Sequence, residues 1–146
     1  AVKFGILKII KKNMDNQQEL MFKLSMFEQQ IKSIQEQLQL VEQAMIEASS
    51  LKIELDNLKG AKDKEIMASI GKGIFAKAKI TEEELLVDVG GRNFVKKTIS
   101  ETQNIINNQV GKLGEVKTEL EEKLEEINQE LTKVFEEAEK EEGKIE

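Results

Sequence analysis

The chain has 146 residues, 39% of them hydrophobic and 34% charged, with a net charge of −6 at neutral pH. Aromatic residues make up only 4%, and His, Cys, Trp, Tyr and Pro are absent. This composition excludes disulfides, thiol or imidazole catalysis and the usual transition-metal ligands, and its acidity argues against nucleic acid, which requires a basic surface.

The length suggests a single domain. A compact core of this size would use more aromatic bulk, whereas coiled-coil seams are filled by Leu, Ile and Val, and without Pro nothing interrupts a long helix. No apolar run approaches the length that crosses a bilayer, so no membrane partner is expected. The lack of Cys fits a cytoplasmic location.

Residues 1–12, AVKFGILKIIKK, are apolar and basic, unlike the rest of the chain. Lysines interrupt the apolar run and no small-residue cleavage site comes after it, so it does not read as a secretory signal. It is either an extension outside the folded body or a sticky terminal patch. From Leu20 a heptad begins: Leu20, Leu24, Phe27, Ile31, Ile34, Leu38, Val41, Met45 and Ala48 alternate steps of four and three. The expected seam then passes through a stammer to Leu51, Leu55 and Leu58, with Gly60 at the helix end.

Residues 65–98 change period. Ile74, Ala76, Ala78 and Ile80 alternate with Phe75, Lys77 and Lys79, and Leu85, Val87 and Val89 alternate with Leu86 and Asp88. That spacing predicts strands over 65–70, 74–80, 84–89 and 92–98, paired as two hairpins. Their turns fall at Gly71-Lys72-Gly73 and Gly90-Gly91, where positive φ is needed. So little sheet cannot bury a core of its own and leaves open edges, which implies that strands from several subunits join. Ile70, Ile74, Ala76, Leu85, Val87, Val89 and Val95 are the expected assembly positions.

The second helical arm runs from about Ile99 to Ala138, capped by Thr98 or Ser100, with Glu101 in its first turn. Its expected seam is Ile99, Thr102, Ile106, Gln109, Leu113, Val116, Leu120, Leu124, Ile127, Leu131, Val134 and Ala138, with a stutter at Leu120. Two arms of similar length around a compact connector predict an α+β fold, a long antiparallel coiled-coil helical hairpin joined by two β-hairpins. Residues 1–60, 61–98 and 99–146 would then be the first arm, the assembly region and the second arm of one structural domain.

No catalytic site suggests itself. Gly71-Lys72-Gly73 lacks the spacing and the Ser or Thr of a phosphate loop, so it reads as a turn. The paired glutamates of the second arm read as a solvated face, with Lys117 and Glu121 spaced for a weak ion pair. No catalytic residue, metal ligand or cofactor is expected, and the chain is not read as an enzyme.

The order helix, two Gly-turned hairpins, helix resembles the α-class subunit of the prefoldin family. The resemblance rests on IGKGIFAKAKI at 70–80 and LLVDVGGRNFVKKT at 85–98, and the architecture covers all but the first residues. It implies an ATP-independent chaperone, assembled through an oligomeric β-barrel platform from other prefoldin subunits, either itself or β-class partners. The distal coil tips would grip unfolded or nascent proteins and pass them to a group II chaperonin. The usual archaeal form is a hexamer; some relatives form homomeric filaments, which gives the alternative of a filament-forming structural protein. Met21, Phe22 and Met26 lie off the seam near the free end of the first arm, a suitable surface for many sequences. With Phe4, Ile6, Leu7, Ile9 and Ile10 of the terminal segment and Phe135 of the returning arm, they are the expected client-binding residues.

Overall fold

A computed structural model describes residues 2–145, with side chains for residues 14–140. The elements are α1 (Val2–Asp56), β1 (Glu65–Gly71), β2 (Ile74–Lys79), β3 (Leu85–Asp88), β4 (Phe94–Lys97) and α2 (Ile99–Ile145). All four strands and both helices fall where the sequence places them, except that α1 begins at Val2, well ahead of the first heptad residue, and α2 runs on past Ala138. No helix among the described residues is long and apolar enough to cross a membrane.

Two compact units divide the chain, Ala1–Leu40 with Val116–Glu146 and Val41–Glu115. In the second, the hairpin unit, α1 and α2 are antiparallel, because Met45 lies against Gly114 and Lys52 against Gln103. Its core is Leu55, Ile99 and Ile106, with Ala48, Leu58, Leu85 and Val110 packed against them. Leu85 thus ties β3 to the helices. In the terminal unit, residues 23–30 of α1 face residues 130–134 of α2, and Ile34 and Leu120 are its buried apolar side chains.

Among the described residues, burial follows a heptad without a phase break from Leu20 on α1 and from Ile99 on α2. On α1 the covered positions run on through Val41, Met45, Ala48, Lys52 and Leu55, while Leu51 is exposed. On α2 they run through Ile99, Gln103, Ile106, Val110, Leu113, Lys117 and Leu120, with the expected Thr102 buried beside Gln103, while Gln109 and Val116 are exposed. Neither the expected stammer nor the expected stutter occurs. Each was introduced by an apolar residue beside the seam, and the seam position belongs to a half-buried lysine, Lys52 or Lys117, a residue whose long aliphatic stem suits such a place.

The termini of the helices are locally fixed. Thr98 caps α2: its Oγ1 accepts from the Glu101 backbone N–H at 3.1 Å and donates to the Glu101 carboxylate at 3.2 Å. Beyond α1 the chain tightens through bonds from Asn57, Leu58 and Lys59 to the third residue back, then reverses at Gly60, whose φ of 71° favours glycine.

Each sheet is one antiparallel hairpin, and β1–β2 does not pair with β3–β4. Ile66 pairs with Ala78 and Ala68 with Ala76 on one face of the first, and Met67 with Lys77 and Ser69 with Phe75 on the other. The register slips between Ser69 and Gly71, leaving Ile70 as a bulge at the turn. In the second hairpin Val87 pairs with Val95 and Leu85 with Lys97, and Leu86 with Lys96 and Asp88 with Phe94 on the opposite face.

Candidate functional site

Two surfaces expose more large apolar side chains than their own packing requires. The first is in the terminal unit. Met21 and Phe22 are 70% and 66% exposed, and Met14, Met26, Leu40 and Phe135 are also exposed. The unbroken heptad explains this: Met21, Phe22 and Met26 sit outside the seam line of Leu20, Leu24 and Phe27, so α1 carries apolar residues on more than one side. Beside them is an open groove of about 330 Å³ lined by Met26, Phe27 and Val134, with Lys23, Gln30, Glu130 and Lys133 around it. Of the sequence-derived tip residues, the structure therefore brings Met26 to this groove and leaves Met21, Phe22 and Phe135 in solvent. Phe4, Ile6, Leu7, Ile9 and Ile10 belong to the helical backbone of α1, but their side chains lie outside the described residues. Sequence reading passes over Met14, although it stands one heptad before Met21.

The second surface is on the hairpins. Pleating places Ile66, Ala68, Ala76 and Ala78 on a half-buried face of the first hairpin and Leu85 and Val87 on a half-buried face of the second. Among the expected assembly positions, Ala76, Leu85 and Val87 are thus already half-covered within the chain, while Ile70, Ile74, Val89 and Val95, at or near the turns, are exposed. The opposite faces carry Met67, Phe75, Leu86 and Phe94, all exposed and none anticipated. The cross-strand register is what reveals them. Met67 and Phe75 share one side of the first hairpin, and Leu86 and Phe94 share one side of the second.

The turns build no phosphate cradle. Lys72 and Gly73, with φ of 51° and 76°, form the reversal between β1 and β2. At the other turn Asp88 Oδ1 accepts from the Gly90 N–H at 2.9 Å, and Gly90 has a φ of 132° that side chains rarely adopt. Among the described residues no three His, Cys, Asp or Glu side chains converge as a metal cage would need.

Polar chemistry concentrates where α1 ends and α2 begins. Gln103 is buried, and its Nε2 donates to Asp56 Oδ1 at 2.7 Å and to the Lys52 carbonyl at 3.1 Å. The Gln103 hydrogen bond, followed by that from Lys59, holds the Asp56 carboxyl below its ordinary 3.8. A single amide bridging two turns of the facing helix fixes the register of the helices near the sheets. The linker between the hairpins is tied on both sides, by Glu83 Oε1 accepting from Gly60 N–H at 2.9 Å and by Glu82 paired with Lys96 at 3.4 Å. Lys117, half-buried in the seam, and the exposed Glu121 form the expected pair at 3.9 Å.

Residues 27–144 match the sequence profile of the family described as Prefoldin subunit. A curated relative, prefoldin subunit alpha of Methanobrevibacter smithii, is 29% identical over 108 residues, covering 73% of this chain and 69% of its own length. The fold is that of a filamentous PFD from Methanocaldococcus jannaschii solved by cryo-EM. That likeness has a TM-score of 0.71 and 16% identity, and covers 79% of this chain and 97% of the other.

Proposed function

The chain belongs to the prefoldin family, a family of non-enzymatic chaperones, and from that premise we propose that it is an α-type subunit that holds unfolded or nascent chains without catalysis. The observation that carries the reading is the exposure of Met21, Phe22, Met26 and Phe135 in a unit whose own seam does not use them. Flexible thioethers and an exposed ring adapt to many apolar segments at small entropic cost, as a surface for non-native chains requires. The groove beside Met26 offers such segments a covered apolar floor with charges at its margin.

Assembly with other prefoldin subunits, either copies of itself or β-class partners, proceeds through the hairpins. Isolated two-stranded sheets are marginal in water, and these expose Met67, Phe75, Leu86 and Phe94 on one face each and Ile70, Ile74, Val89 and Val95 around the turns. Neighbouring strands would satisfy the open edges and cover these side chains together. Delivery to a group II chaperonin and a cytoplasmic location are carried over from the family.

The test is suppression of client aggregation. Replacing Met21, Phe22, Met26 and Phe135 together by Ser should abolish protection of a denatured client while the assembly keeps its mass by light scattering. Full protection by that variant refutes the assignment. Electron microscopy of the chain alone separates the alternative: long fibres favour a homomeric filament, and small species that grow only with a β-class partner favour the hexamer.

A further inference from the structure

The chain has no Cys, and its five methionines are its only sulfur. Their placement is uneven. Met14, Met21 and Met26 are exposed in the terminal unit, Met14 and Met21 one heptad apart and Met26 at the groove. Met45 is half-buried in the seam, its Cε 3.9 Å from where a β-carbon on Gly114 would stand. Met67 is on the outward face of the first hairpin, which neighbouring subunits would cover.

We propose that Met14, Met21 and Met26 form an oxidant-responsive surface, at which conversion to methionine sulfoxide switches off the holding of apolar clients and reduction restores it. The proposal rests on the client-binding reading above. The oxidant is hydrogen peroxide. The thioether sulfur attacks one peroxide oxygen, the O–O bond breaks, an S–O bond forms, and the other oxygen leaves as water with both protons. Sulfur loses two electrons and the peroxide gains them. The product side chain is polar and stiffer, which removes the two properties for which an exposed methionine suits a promiscuous apolar surface. Susceptibility follows solvent access, so these three react ahead of Met45 and, once neighbouring subunits cover the hairpins, ahead of Met67. Sulfoxide reductases, one per epimer, make the change reversible: a dithiol supplies two electrons and two protons, becomes a disulfide, and the sulfoxide oxygen leaves as water. Met45 is half-buried in the seam, and Met67, exposed in the single chain, lies on the hairpin face that assembly would cover, so in the assembled protein the fold has no reason to respond.

The experiment uses the full chain, assembled, treated with dilute hydrogen peroxide, and mapped by peptide mass spectrometry. Its partner is the variant Met14→Leu, Met21→Leu and Met26→Leu, which keeps the apolar volume and cannot be oxidised at those positions. The expected result is preferential conversion at 14, 21 and 26, with a severalfold rise in the amount of protein needed to keep a denatured client in solution. The leucine variant should be unaffected by peroxide, and reductase treatment should restore the parent. Equal loss in parent and variant, unchanged protection after full conversion, or dissociation of the oxidised assembly each overturns the proposal. Failure of both untreated proteins to protect any client sinks the client-binding reading, and this proposal with it.

Discussion

Replacing Phe75 and Phe94 by Ser separates assembly from folding. Within the chain, Phe75 is 55% and Phe94 62% exposed, so each has roughly half of its burial still to gain. Complete burial of a phenylalanine side chain is worth about 1.5–3 kcal/mol, which leaves about 0.8–1.5 kcal/mol each, or about 1.5–3 kcal/mol for the pair, to be gained between subunits. At about 1.4 kcal/mol per factor of ten, the double variant should require about 10–150 times more protein to reach half-assembly. The isolated chain should change in stability by no more than about 1 kcal/mol, since both rings stand on solvent-facing sides of their hairpins. Sedimentation velocity over a dilution series measures the first effect, and denaturant unfolding at the lowest concentration the second. An unchanged dilution profile would show that these faces stay wet in the assembly and that only the half-buried faces and turn residues hold it together.

Two further outcomes concern the helices. Ile106→Ala, in the core beside Leu55 and Ile99, should lower stability by about 2–4 kcal/mol in denaturant unfolding; a loss under about 1 kcal/mol would mean that this cluster is not the anchor of the hairpin unit. Gln103→Leu should flatten the acid response. Asp56 titrates below its ordinary 3.8 in the folded chain, so its contribution is present above that pH and is lost as pH falls through the lowered value. Unfolding midpoints measured at pH 5 and pH 3 should therefore differ less in the variant than in the parent, and an equal difference would refute the role of the amide.

The outline of the fold is legible because its two periods are distinct. Alternation at 74–80 and 85–89 and heptads on either side are signals no single residue can spoil, and the Gly71–Gly73 and Gly90-Gly91 turns lie between strands as expected. The seam is harder to read at two places. Leu51 and Val116 are more apolar than Lys52 and Lys117, yet the helix cannot change phase for one side chain when its neighbours on both sides are committed, so the lysines occupy the seam. Gln103 escapes notice because a polar residue at a seam position gives no hydrophobic signal; only its contact with Asp56, 47 positions away in sequence, gives it meaning. On the hairpins, alternation identifies the two faces but not which one the helices cover. That depends on packing between elements distant in sequence, here the contact of Leu85 with the Leu55, Ile99 and Ile106 cluster.

The tie between Glu83 and the Gly60 amide, with Glu82 bound to Lys96 beside it, has a mechanical consequence. The connector between the hairpins is braced at once to the turn after α1 and to β4, like a guy-rope anchored at two points. A pull applied to the second hairpin has a route to the turn that follows α1, at Gly60, without passing through the Gly71–Gly73 or Gly90-Gly91 turns.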